Sequence, residues 1–166
     1  MTSILVTYAS KHGSTAEIAE WIATELREFA GFTVDVEAAA AVTDVRPYDA
    51  VIIGGALYAG RWPGDARRFV RRNAHALDHL PVWAFSSGPL DRTAEDAPIP
   101  PTRAVTKIMN RIVVRDHVTF GGRLDPDVQG FIASRLAKEH GDDYRNQEQI
   151  KDWARTIAKD LTATAR

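Results

Sequence analysis

The chain has 166 residues, with 21 Lys and Arg against 22 Asp and Glu, 45% hydrophobic residues and no cysteine. This length and balance suit a single folded domain, and near-neutrality excludes a chain devoted to holding nucleic acid. The missing cysteines exclude disulfide scaffolds, thiol nucleophiles, cysteine-ligated zinc and iron–sulfur clusters. No stretch approaches the roughly 20 apolar residues of a membrane span. The start, Met1-Thr2-Ser3-Ile4, enters a hydrophobic run without signal-peptide features, so a cytoplasmic location is expected.

In chain order, Ile4 to Tyr8 is a short run apolar on both faces, the pattern of a strand covered from both sides. From Ser14, the spacing of Ile18, Trp21, Ile22, Leu26 and Phe29 predicts a helix that Gly31 stops. Val34-Asp35-Val36 alternates as an edge strand would, and Ala38–Ala41 reads as a loop or short turn. Val51-Ile52-Ile53 is a second buried strand, followed by a helix over Pro63–Asn73 that turns Ala66, Phe69 and Val70 inward. Val82 to Phe85 is a third buried strand, Thr102–Ile112 a helix, and His117–Phe120 a strand ended by Gly121-Gly122. Two further helices are expected, over Val128–Lys138 and over Gln147–Leu161. Strands alternating with helices define a doubly wound α/β sheet, which places its ligand at the carboxyl ends of its strands.

Three loops leave that rim. The first is Ser10-Lys11-His12-Gly13-Ser14-Thr15, opening a helix that carries Glu17 in its first turn. Small, hydroxylated residues at a helix N-terminus can aim several N–H groups at one anion, and Lys11 adds a charge, so a phosphate cradle is expected. The competing reading is an ordinary helix cap, which needs only one hydroxyl. The second loop runs from Gly54-Gly55 through Ala56-Leu57-Tyr58-Ala59-Gly60-Arg61-Trp62. Its glycines can let backbone approach a flat ligand, with Tyr58 or Trp62 against a ring face, or the aromatics can simply pack on the next helix. The third is Ser86-Ser87-Gly88-Pro89-Leu90-Asp91. By itself it is generic turn chemistry, and its weight comes from sharing the rim.

Several chemistries are excluded. The first loop has one glycine, so it is neither the G-x-x-x-x-G-K-[ST] loop nor G-x-G-x-x-G. No nucleophile elbow with a Ser–His–Asp order is visible. His75 and His79 lie four apart, but nothing nearby in sequence completes a metal-ligand set.

Tyr8-Ala9-Ser10-Lys11-His12-Gly13-Ser14-Thr15 resembles the phosphate loop of the flavodoxins. The likeness extends over essentially the whole chain, toward the flavodoxin-domain branch that includes menaquinone-dependent protoporphyrinogen dehydrogenases. Residues Val51 to Ala56, Tyr58, Gly60, Phe69-Val70, Gly121 to Asp125 and Trp153-Ala154 carry that part of it. The resemblance implies a flavodoxin-like five-stranded parallel sheet of order 2-1-3-4-5. It implies FMN, with the phosphate on Ser10, Lys11, His12, Gly13, Ser14 and Thr15. The ring would lie between Ala56, Leu57, Tyr58, Ala59 and Gly60 on one side and Ser86, Ser87, Gly88, Pro89 and Leu90 on the other. It also implies an oxidoreductase passing electrons or hydride to a small acceptor, such as a quinone or a porphyrinogen-type molecule. Alternatives are a deazaflavin coenzyme in place of FMN, a one-electron carrier without its own substrate, and a cofactor-free interaction module. In flavodoxins a glycine usually follows the stacking aromatic, whereas Ala59 intervenes here. Arg61, Arg67, Arg68, Arg71 and Arg72 crowd just after the second loop, with Asp65 the one acid among them. They form either a solvated helical face or an electrostatic collar for an anionic redox partner or acceptor. Membrane contact would be peripheral only, and would arise if the acceptor is a quinone.

Overall fold

A computed structural model describes residues 1–11, 13–88, 93–123 and 143–164. The expected helix over Val128–Lys138, and His12, Pro89, Leu90 and Asp91, lie outside the described residues. The elements are β1 (Thr2–Ala9), α1 (Ser14–Arg27), β2 (Phe32–Ala38) with a 3-10 turn (Ala39–Ala41), and β3 (Ala50–Ala56). There follow α2 (Gly64–Leu77), β4 (Val82–Ser87), the short α3 (Thr93–Asp96), α4 (Arg103–Met109), β5 (Asp116–Phe120) and α5 (Gln147–Thr164). All strands are parallel, in the order β2-β1-β3-β4-β5, which is the arrangement that the resemblance to flavodoxins implies.

Strand pleating separates two cores. Ile4, Val6, Ile52 and Phe85 face α1 and α5, where they meet Ile18, Ile22, Trp153 and Ile157. Leu5, Val51, Ile53 and Ala84 face α2 and α4, against Phe69, Val70, Val105 and Ile108. Because both faces are covered, β3 and β4 are buried along their whole length. The edge strand β2 alternates buried and exposed positions, which is why Val34-Asp35-Val36 reads that way in sequence.

Gly54 and Gly55 serve this packing and not a ligand. A Cβ on Gly54 would sit 2.0 Å from the Phe85 ring, and one on Gly55 would sit 2.5 Å from the Trp62 indole. The aromatic rings fill the space that the missing side chains leave, which corrects the expectation of a backbone bared to a flat cofactor. Two strands also run further than the sequence suggests. β3 ends at Ala56, and β4 continues through Ser86 and Ser87, so the third loop begins at Gly88.

Candidate functional site

The rim at the carboxyl ends of β1, β3 and β4 gathers the three expected loops. At the first, the residue preceding α1 is Gly13, whose φ of −72° is ordinary for any amino acid and which provides no side-chain cap. The simple cap reading therefore lacks its hydroxyl. A Cβ at Gly13 would meet nothing within 4 Å, so neither backbone nor packing requires glycine there. Thr15, in the first turn of α1, is fully buried, and its hydroxyl has no hydrogen-bond partner among the described residues. A sealed, unmatched hydroxyl is costly and calls for an explanation, of which an unbound ligand is one. The first N–H groups of a 14-residue helix have no intrahelical acceptor, and the helix dipole favours an anion beside them.

Lys11 and Tyr58 join the first and second loops. The Lys11 N–H donates to the Tyr58 phenol oxygen at 3.0 Å, and the Lys11 ammonium lies 5.0 Å from the centre of the Tyr58 ring. The second loop itself is a two-residue hairpin. Tyr58 N–H donates to Arg61 O at 2.9 Å and Arg61 N–H to Tyr58 O at 3.0 Å. Ala59 and Gly60 between them have φ of +51° and +75°, the signature of a type I′ turn. Glycine adopts that conformation freely, but Ala59 is strained in it by roughly 1–2 kcal/mol. The turn is held from outside, since the Thr102 hydroxyl donates to Gly60 O at 2.6 Å while accepting from Val105 N–H at the start of α4.

The end of β4 and the start of the third loop are tied to both neighbours: Leu57 N–H donates to Ser87 O at 2.8 Å, and Gly88 N–H to Phe120 O at 3.1 Å. Of its expected contacts, Gly88 lies at the rim, with the Leu57 side chain against it. Ser86 and Ser87 are buried inside β4. The Ser86 hydroxyl accepts from the Trp62 indole N–H at 2.9 Å and lies 2.9 Å from His117 Nε2. Trp62 is thus a core residue, 5% exposed, and not a ring face for a ligand. An imidazolium at His117 would place a second N–H on Nδ1, where no described residue accepts it. Burial pushes the His117 ring down from 6.5 to about 4, against a smaller upward pull from Asp116.

Behind the first loop, Arg145 is nearly sealed. Its guanidinium packs on Trp21, 4.5 Å from the ring centre, and donates to Ser14 O at 3.1 Å. It also forks onto Asp143, holding that carboxyl below its usual range, and lies 3.7 Å from Glu17. Arg123 reaches the same Glu17 at 3.2 Å. The chain on either side of residues 124–142 is thereby fastened to the first turn of α1.

The arginines divide differently from the sequence expectation. Arg68 pairs with Asp65, and Arg72 donates to Val42 O at 2.8 Å, so it fastens the segment after β2. Arg61 and Arg67 instead join Arg103, Lys107 and Arg111 of the α4 region around one cleft. Those three have a sequence signal, cations at i, i+4 and i+8, which is hidden when the segment is read only for its apolar stripe.

The flavodoxin domain family model matches residues 5–139, so the chain belongs to the flavodoxin-domain family. Among curated proteins, it is 29% identical over 93 residues to protoporphyrinogen IX dehydrogenase (quinone) of Escherichia coli K12. That match covers 55% of this chain and 51% of the relative, about half the length of each. Oxidised flavodoxin 2 from Bacillus cereus superposes with a TM-score of 0.63 at 20% identity, over 95% of this chain and 99% of that one. Rubredoxin oxygen:oxidoreductase from Desulfovibrio gigas superposes with a TM-score of 0.62 at 17% identity, over 98% of this chain and 37% of that one. These likenesses to solved structures concern the fold.

Proposed function

We propose that the protein is an FMN-dependent oxidoreductase. Ser10 to Thr15 would hold the cofactor phosphate, and the turn at Tyr58–Arg61 together with the loop from Gly88 would flank its ring. The observation that carries this reading is the buried Thr15 hydroxyl, without a partner among the described residues, beside a helix cap with no side chain. A phosphate supplies the acceptor that Thr15 and the first N–H groups of α1 lack, and fills space that Gly13 leaves open. Bound flavin supplies the capacity to take up and release electrons singly or in pairs. The chain itself contributes orientation and electrostatics. The Lys11 ammonium at the rim favours the anion, and the hairpin fastened by Thr102 gives a fixed wall beside the ring.

Membership of the flavodoxin-domain family supports the same cofactor. The curated relative's name supports a quinone as acceptor and a porphyrinogen as donor, although the likeness reaches only about half of each chain. Titrating flavin-free protein with FMN and with riboflavin tests the phosphate loop. Charge-assisted hydrogen bonds worth about 1.5–3 kcal/mol each make FMN the tighter ligand by on the order of 100-fold or more. Equal affinities would remove the loop from the account.

A further inference from the structure

The cleft between the Tyr58–Arg61 turn, α2 and α4 has a volume of about 610 Å³, the size of a small-molecule site. Among the described residues, five cations line it, Arg61 and Arg67 on one wall and Arg103, Lys107 and Arg111 on the other, and no acid does. None of the five makes an ion pair among the described residues, whereas Arg68 and Arg72 a few residues away are occupied. This concentration stands out in a chain whose formal net charge is −1. Ile108 and Ala104 also line the cleft, so it is apolar as well as charged. Arg103 and Lys107 lie one turn apart on α4, about 6 Å along its axis, and Arg111 follows beyond its end at Met109, so the charges are spread along the cleft. Met1 and Val113 are the exposed large hydrophobics among the described residues, so no apolar patch accompanies the charges as a lipid surface would need.

We infer that this cleft binds a small molecule with a partly apolar body and two or more separated carboxylate or phosphate groups. Arginine forks suit both groups. The turn carrying Ala59 and Gly60 forms one wall of the cleft and also flanks the proposed ring site, so the ligand is held beside the cofactor. That this ligand is the redox substrate rests on the flavin reading, but its binding does not.

The test is calorimetric titration of flavin-free protein with a naphthalene tetracarboxylate, with benzoate and inorganic phosphate as comparisons. The tetracarboxylate binds more tightly than either, and its affinity falls as salt rises. Substituting Arg103→Gln, Lys107→Gln and Arg111→Gln together weakens it by on the order of tenfold and flattens the salt dependence. Arg71→Gln, outside the cleft, changes neither. All these side chains are exposed, and unfolding curves check that the variants fold. Should the triple variant unfold, Arg61→Gln with Arg67→Gln makes the same prediction from the opposite wall. No binding, unchanged binding by the variants, or phosphate or benzoate binding equally well would overturn the inference. Displacement of the tetracarboxylate by phosphatidylglycerol vesicles would overturn it in favour of a membrane surface.

Discussion

Replacing Thr15 by valine separates a residue kept for a ligand from one kept for the fold. Valine matches threonine in shape and branching, so packing in the first turn of α1 is preserved. In the flavin-free protein the substitution removes a fully buried hydroxyl that has no partner among the described residues. An unmatched buried polar group costs about 1–3 kcal/mol, so Thr15→Val should raise stability by roughly 1 kcal/mol. With FMN present the sign reverses. A hydroxyl donating to phosphate is worth about 1.5–3 kcal/mol, so affinity should fall by about 10- to 150-fold. Because a ligand stabilises only as far as its concentration exceeds Kd, the variant should melt above the parent without flavin and below it at a fixed modest excess of FMN. Urea unfolding without flavin and fluorescence titration with FMN read the two halves. A variant less stable without flavin, or one with unchanged FMN affinity, would show that Thr15 has a structural partner or no ligand role.

His117 gives a pH signature. Its ring is neutral when folded, with a pKa near 4, while the unfolded ring titrates at its ordinary 6.5. Its stabilisation is therefore complete above about 6.5 and is lost as pH falls toward 4. The full difference corresponds to about 3 kcal/mol, and partial solvent access to the ring lowers that to about 2 kcal/mol. His117→Gln should thus lose less stability than the parent between neutral pH and pH 4.5 in urea titrations, and parallel losses would refute the assignment. Ala59→Gly relieves a left-handed alanine but loosens the unfolded chain, for a net gain of roughly 0.5–1 kcal/mol in thermal unfolding. Gly54→Ala should cost about 3 kcal/mol, since its Cβ would overlap the Phe85 ring, and a stability near that of the parent would contradict the packing.

The doubly wound class was legible because the central strands are apolar on both faces and glycine- and hydroxyl-rich loops mark the rim, whereas the strand order came only from the resemblance to flavodoxins. What sequence could not supply were partners distant along the chain. Gly54-Gly55 read as a ligand-facing turn, yet their purpose lies in Phe85 and Trp62. Ser86-Ser87 read as loop because serine is common in turns, but ladder bonds on both sides and the Trp62 indole draw them into β4. Arg68 and Arg72 looked equivalent to Arg67, and only their contacts with Asp65 and Val42 set them apart. At the first loop, the hydroxyls and the glycine were legible in sequence, while the open space at Gly13 and the Thr15 hydroxyl without a partner among the described residues needed three dimensions.

The redox reading rests on the first loop cradling the phosphate of FMN. Its most direct test is the absorbance spectrum of protein purified from its native host, with the mass of the ligand released on denaturation. FMN held in the first loop gives a two-band yellow spectrum and releases a ligand with the mass of FMN. A single band at shorter wavelength with the mass of a deazaflavin coenzyme would contradict the choice of cofactor. A colourless protein that takes up neither molecule would contradict the redox reading itself.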